Sequence, residues 1–346
     1  MLMANFETLI NQEIQANPTG VLIVDENLSP HSLQAALGWL AVTNRFDQQQ
    51  ALLNQDWHCD LSDFKWPADF TTDLVLFRIC KEKAVVNHLI NLAAEHLPSG
   101  ARLILFGDKS EGIKSYAKNG QKRLNGDRSE VKLGGDSWRV ELSVGQTTGA
   151  PLDDQNYQQL REISNVSEYS LYSKPGVYGW KKIDQGSQQL VERLPIMLGR
   201  ERPIGPDRVL DLGCGSGYLS LVCCSKDSII TATDNNAAAI KATQATLERA
   251  GFNAEVCLTN AGEELASEYD LILCNPPFHS GFGIDYDLTD RFSKNAARLL
   301  AAEGKACFVV NQHVPLKRIA SRYFESVELD QDTGNFCTYL LTKPKR

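Results

Sequence analysis

Short apolar runs and amphipathic stretches alternate along the whole chain, the pattern of α/β architecture. In the first half, Val21-Leu22-Ile23-Val24 and the run from Asp73 to Cys80 read as strands, Ala84 to His96 as a helix, and Arg102 to Gly107 as a further strand. In the second half, Val209 to Leu212, Ser228 to Thr233, Ala254 to Leu258, Asp270 to Cys274 and Lys305 to Val310 read as strands. Helices are predicted from Leu219 to Cys224, Ala237 to Ala250 and Leu288 to Leu300. Most of these runs are apolar throughout, which predicts strands covered on both faces. Order and spacing recur between the halves, as in a duplicated fold. The boundary is expected between Gly149 and Lys174, where Pro151, Asp153 and Asp154 begin a polar, helix-like segment, with Gly176, Gly179 and Gly186 marking a loop region between the halves. The expected domains are residues 1–160 and 170–346.

Composition narrows the class. A chain of 346 residues with 42% hydrophobic and 23% charged residues can build two soluble cores. No apolar run reaches the roughly 18 residues that span a membrane. The segment Met1 to Gln15 is polar and acidic, unlike a signal peptide, so a cytoplasmic location with no membrane partner is expected. Nine cysteines, several inside predicted strands and without a Cys-x-x-Cys pair, read as reduced core thiols. The six histidines lack metal-ligand spacing, so no metal is expected. A net charge of −8 argues against loose binding to any nucleic acid, but allows a structured RNA met by a local basic patch.

Two motifs carry chemistry. Asp211-Leu212-Gly213-Cys214-Gly215-Ser216-Gly217 closes a strand and opens a helix. Its alternating glycines allow a sharp turn and close approach to a ligand at free backbone N–H groups. The spacing is G-x-G-x-G, unlike the G-x-G-x-x-G of dinucleotide enzymes, which speaks against a nicotinamide dehydrogenase. The next strand ends at Asp234, whose carboxylate can accept both ribose hydroxyls, with Asn235 beside it; the plainer use of such an Asp is to cap the following helix. The second motif, Asn275-Pro276-Pro277-Phe278, follows another strand. An aromatic exocyclic amine is a poor nucleophile because its lone pair is delocalised. The Asn275 side-chain oxygen and the Pro276 carbonyl can each accept one of its N–H groups and aim the lone pair at a methyl donor. The prolines stiffen the loop and Phe278 supplies a stacking face for a base. No general base is needed. His279, Asn311 and His313 lie near these strand ends without a role that the residues dictate.

In this order and register, residues from about 170 to 346 resemble the Rossmann-fold S-adenosyl-L-methionine-dependent N-methyltransferases. The resemblance implies that Asp211, Gly213, Gly215, Gly217, Asp234 and Asn235 hold S-adenosyl-L-methionine and that Asn260 and Ala261 meet its adenine amino group. Upstream, Pro175-Gly176-Val177-Tyr178 and Asp184-Gln185-Gly186-Ser187 are similar to stretches that ribosomal RNA guanine-N2 methyltransferases carry before the glycine loop. Gly186 and Ser187 are thereby placed beside the donor and Tyr178 beside the substrate. The linking residues Gly179-Trp180-Lys181-Lys182 depart from that pattern. The first half has neither motif: Asp25-Glu26-Asn27 follows Val24, and Lys81-Glu82-Lys83 follows Cys80. The whole chain therefore resembles the bacterial ribosomal RNA small subunit methyltransferase C family. That implies an α/β fold of two tandem Rossmann-like methyltransferase domains, the N-terminal one degenerate, acting as a monomer on a guanine N2 of 16S rRNA in the 30S particle. A 23S rRNA guanine, a protein glutamine, or a non-catalytic role in ribosome assembly are the alternatives. The degenerate half would support folding and grip RNA through Lys114, Lys118 and Lys122, which share a helix face within the basic segment Lys109 to Lys132; a solvated face is the plainer reading.

Overall fold

The structure is a computed structural model. It describes residues 5–346 except 68, 206, 267, 277, 278, 281, 282 and 285, and describes 279, 280, 283 and 284 as backbone only. The chain folds as two compact units, Met1–Gln159 and Leu160–Arg346.

The first unit comprises α1 (Phe6–Ala16), β1 (Gly20–Val24), β2 (Trp39–Thr43), α2 (Phe46–Leu53), β3 (His58–Leu61), β4 (Leu74–Arg78), α3 (Lys83–His96), β5 (Arg102–Asp108), α4 (Ile113–Leu124), β6 (Arg128–Gly134) and β7 (Ser137–Ser143). Its seven-stranded sheet has the order β3-β2-β1-β4-β5-β7-β6. β3 to β5 run parallel, and β7 and β6 close the edge antiparallel. Side chains of a strand point alternately to opposite faces, and both faces here are covered. Val21, Ile23, Val75, Phe77, Leu103 and Leu105 pack with α3 and α4. Leu22, Val24, Leu74, Leu76, Ile104 and Phe106 pack with Ile10 and Ile14 of α1. Ile10 and Ile14, one helical turn apart and both buried, each contribute about 1.5–3 kcal/mol of apolar burial.

The segment expected to turn helical at Pro151, Asp153 and Asp154 is an extended strap. Its backbone is bonded sideways: Asn87 Nδ2 donates to Asp153 O (2.7 Å), and Asn91 pairs with Leu152 at both ends of its amide (2.9 Å each). Gln155 and Asn156 have left-handed backbones (φ +55° and +50°), which no α-helix tolerates. Tyr157 anchors the strap's end through Asp63 (2.8 Å).

The second unit opens with a hairpin, β8 (Arg161–Val166) and β9 (Tyr169–Ser173), followed by α5 (Gln185–Leu198), β10 (Arg208–Leu212), α6 (Tyr218–Cys223), β11 (Ile229–Asp234), α7 (Ala237–Arg249), β12 (Ala254–Leu258) and β13 (Tyr269–Cys274). The short ladder of β14 (His279–Ser280) and β15 (Gly283–Ile284), α8 (Tyr286–Leu299), β16 (Leu300–Asn311), α9 (Leu316–Ala320), β17 (Phe324–Asp332) and β18 (Phe336–Pro344) complete it. The sheet order is β12-β11-β10-β13-β16-β18-β17, position for position that of the first unit. Gly186 lies inside α5 of this unit and not in a loop between the halves. Leu210, Leu212, Ile272 and Phe308 pack under α8 and α9, and Val209, Leu271, Leu273 and Val309 under α5. The parallel strands β10, β11, β12, β13 and β16 all end at one edge of the sheet, where such folds bind ligands.

The nine cysteines carry no disulfide, and all but Cys59 and Cys257 are buried. Burial pushes their thiols up, Cys307 to about 12, so they stay protonated and inert. Among the described residues no cluster of ligands could hold a metal ion, and no helix is long and apolar enough to cross a membrane.

Candidate active site

The site is built at the carboxyl ends of β10, β11 and β13. After Leu212 the chain enters the glycine loop with Gly213, Gly215 and Gly217 all left-handed (φ +84°, +56° and +80°). Gly217 caps the start of α6, and a Cβ there would stand a tight 3.1 Å from Thr243 of α7, so the bare position lets the loop lie close against that helix. A Cβ on Gly215 would meet nothing within 4 Å, so this glycine borders open space. Gly213 and Cys214 donate to the Thr233 carbonyl (2.8 and 2.9 Å), tying the loop to β11.

Two carboxylates flank the loop. Asp234 Oδ2 accepts from Gly215 N (3.0 Å) and Oδ1 from Asn236 N (3.0 Å). The plain capping role expected of Asp234 belongs instead to Asn236, whose Oδ1 accepts from Ala238 N (2.9 Å) at the start of α7. Asn236 also donates to the Gly176 carbonyl (2.8 Å) and so draws the Pro175–Tyr178 stretch to this end of the sheet. Asp211 is fully buried behind the loop. Its Oδ2 accepts from Ser220 N and Oγ (3.1 and 2.7 Å), while Oδ1 is buried without a partner. Burial raises its pKa to about 6, the nearby Asp234 charge adding to the rise.

Across the sheet edge, Asn275 follows β13. Its Nδ2 donates to Asp184 Oδ2 and to Ser187 Oγ, both at 2.7 Å. Asp184 caps α5 by accepting from Ser187 N (2.9 Å). An ionised carboxylate only accepts hydrogen bonds, so Asp184 fixes which end of the Asn275 amide faces it. The carbonyl Oδ1 therefore points the other way. Gly186 makes the approach possible: a Cβ there would sit 3.0 Å from Asp184 Oδ2 and 3.2 Å from the Phe336 ring. Pro276 is buried; Pro277 and Phe278 lie outside the described residues, as does the His279 side chain.

The expected residues are thus placed unevenly. Gly213, Gly215, Gly217, Asp211 and Asp234 share one end of the sheet, with Asn235 beside Asp234; Gly186 and Ser187 stand with Asn275. Asn260 lies in the turn after β12, where its Oδ1 accepts from Arg291 of α8 (2.9 Å) and its Nδ2 donates to Glu263 (3.0 Å). Ala261, with φ +52°, is buried against the α8 core. Tyr178 is 79% exposed. On α4 the three lysines differ. Lys118 and Lys122 are exposed, whereas Lys114 pairs with Glu130 (2.5 Å) and lies 2.8 Å from the centre of the Trp138 ring. Arg123 of the same basic segment is buried, bonded to Asn91, Gly149 and Glu95. Asn311 and His313 are joined to each other at the end of β16. Sequence reasoning named Asp184 and Gly176 only within their stretches, without the bonds they make here, and did not single out Asn236. Asp184-x-x-Ser187 before an apolar helical run is a helix-start signal and points to the capping role of Asp184.

Comparison with known proteins gives the family and the fold of the chain. The model of the methyltransferase small domain matches residues 168–340, and that of the methyltransferase small domain N-terminal region matches residues 9–126. The ribosomal RNA small subunit methyltransferase C of Shewanella halifaxensis is 30% identical over 279 residues, covering 79% of this chain and 78% of that protein. Its counterpart from Vibrio vulnificus is 28% identical over 281 residues, covering 80% and 79%. Among solved structures, the T. thermophilus 16S rRNA N2 G1207 methyltransferase in complex with AdoMet and guanosine superposes with a TM-score of 0.82 at 21% identity, over 97% of this chain and 92% of that one. That likeness shows the fold of both units.

Proposed function

The chain belongs to the ribosomal RNA small subunit methyltransferase C family, and we propose that it methylates the exocyclic N2 of a guanine in 16S rRNA, presented on the 30S particle in the cytoplasm. S-adenosyl-L-methionine, when bound, supplies a methyl group already activated on a sulfonium. The residues at the sheet edge fit that donor: Gly215 borders open space, Asp234 stands beside it, and Asp211 holds a buried oxygen with no partner. Asp211, Gly213, Gly215, Gly217, Asp234 and Asn235 are the residues assigned to hold it.

The observation that carries the reading is the fixed amide of Asn275. Asp184 and Ser187 occupy Nδ2, which leaves Oδ1 to accept an N–H of the guanine amine while the Pro276 carbonyl accepts the other. Holding both N–H groups localises the nitrogen lone pair and aligns it, the positioning that this chemistry needs most. Pro277 and Phe278 complete the assignment as loop stiffener and stacking face. The guanine must leave its stack to enter. Residues 170–346 are the catalytic part. Residues 1–160 support it and contact RNA through the exposed Lys118 and Lys122. The protein acts as a monomer without a membrane partner.

The test is to incubate the protein with labelled S-adenosylmethionine and 30S particles from a strain lacking the modification. N2-methylguanosine in 16S rRNA is the expected product. Label in 23S rRNA, in protein or nowhere would contradict the proposal.

A further inference from the structure

The segment between the two halves of the site has an outer surface with a chemistry of its own. It is held at one end by Gly176, bonded to Asn236, which in turn bonds Asp234. At the other end Asp184 bonds Asn275. Residues 177–183 therefore run along the rim between the donor-side carboxylate and the acceptor-side amide. They are held in shape by successive turns, Trp180 N to Val177 O and Lys182 N to Gly179 O (3.2 Å each). Val177 is 2% exposed and packs on Ala238, Ala239 and Ala242 of α7, with Trp180 partly buried against the same cluster. The indole carries cations on both sides of the sequence: the Arg161 guanidinium lies 4.9 Å and the Lys181 ammonium 5.3 Å from its ring centre. Lys181 and Lys182 are exposed, and so is Tyr178. The acid within residues 178–184, Asp184, faces inward to Asn275 and its own helix.

A chain of net charge −8 thus gathers positive charge and exposed aromatic surface on the rim of its own site. Exposed cations close in sequence to an exposed ring match an RNA strand, which presents phosphates and bases together. We propose that Lys181 and Lys182 take the phosphates flanking the target guanine, that Trp180 holds Lys181 in place, and that Tyr178 stacks on a neighbouring base. This deepens, and rests on, the reading of the site as an RNA guanine methyltransferase. It puts part of the RNA grip in the second unit itself, independent of the α4 lysines.

The experiment compares the wild-type chain with Lys181→Glu/Lys182→Glu, Tyr178→Ala and Tyr178→Phe. Each is assayed for methyl transfer to unmodified 30S particles, for salt dependence of 30S binding, and for S-adenosylhomocysteine affinity. Reversing both charges is expected to raise KM for the particle at least tenfold and to lower the log–log salt slope by about 1 or more. Turnover at saturating particle and S-adenosylhomocysteine affinity should hold. Tyr178→Ala is expected to raise KM roughly tenfold and Tyr178→Phe to restore it, because the ring and not the hydroxyl stacks. An unchanged KM and salt slope in the double-lysine variant, with the wild type active, would overturn this inference alone. Loss of S-adenosylhomocysteine affinity in that variant would also overturn it, by making the rim a support of the donor pocket. If the wild type itself transferred no methyl to 30S particles, the underlying function would fall and the inference with it.

Discussion

The two units share one strand order and differ at the same place, the carboxyl edge of the sheet. In the second unit, β10 runs into three left-handed glycines, and Asn275 beyond β13 holds one end of its amide and turns out the other. In the first unit, β1 runs into an Asx turn in which Asn27 N donates to Asp25 Oδ1 (2.9 Å), and Asp25 itself is buried, its pKa raised by that burial. At the end of β4 stands Arg78, 7% exposed, paired to both carboxylate oxygens of Glu111 (2.7 and 2.8 Å) with the Phe6 ring 4.6 Å away. The degenerate unit has filled with an ion pair and an aromatic ring the edge that the other keeps bare. A fold of this kind supplies the edge, and the glycines and the oriented amide make it a site.

The comparison can be broken from either side. The largest effect is expected in the first unit. Arg78→Met strands the Glu111 charge in a buried setting and should destabilise that unit by about 3–5 kcal/mol, whereas Arg78→Met with Glu111→Leu should recover most of the loss. Denaturant unfolding measures both, and S-adenosylhomocysteine affinity should be unchanged in the double variant. The next effect is in the second unit. The folded-state pKa of Asp211, about 6, lies above its ordinary 3.8, so the native state retains the proton between those values. The stability this proton provides is full below pH 3.8 and lost as pH rises through 6. Asp211→Asn removes that dependence and should gain on the order of 3 kcal/mol over wild type at pH 8, most of it accruing between pH 4 and 6. Unfolding curves across that range would show it, and a variant with the wild-type pH slope would refute the assignment. Smaller again is Asp234→Ala, which removes the acceptor of Gly215 N. Calorimetry should show S-adenosylhomocysteine binding weaker by about 1.5–3 kcal/mol, the scale of one charged hydrogen bond.

Central strands were legible because they are buried on both faces and therefore read as unbroken apolar runs. The edges were not. β3 and β6 mix exposed and half-buried residues, and their identity depends on the neighbour they pair with. β2 is entirely buried, yet Ala35-Ala36-Leu37 lengthens its apolar run until strand and helix look alike. The glycine loop and Asn275 could be found because their chemistry is written in adjacent residues. The bond from Asn275 to Asp184 spans 91 positions, and the Arg78–Glu111 pair spans 33, so neither leaves a local trace. The α4 lysines show the same limit. Helical spacing places Lys114 with Lys118 and Lys122, but Glu130 and Trp138, which engage it, come from β6 and β7.

The central claim is that Asp184 acts through Asn275 by fixing its amide, and a double-mutant cycle tests it most directly. Methyl transfer to 30S particles is measured for Asn275→Ala, Asp184→Ala and the two together, at saturating donor. The account predicts a loss of at least 100-fold for Asn275→Ala, of the order found when a positioned polar group is removed from an active site, and a double variant about as slow as Asn275→Ala alone. Losses that simply multiply, or an Asn275→Ala chain with wild-type turnover, would contradict it.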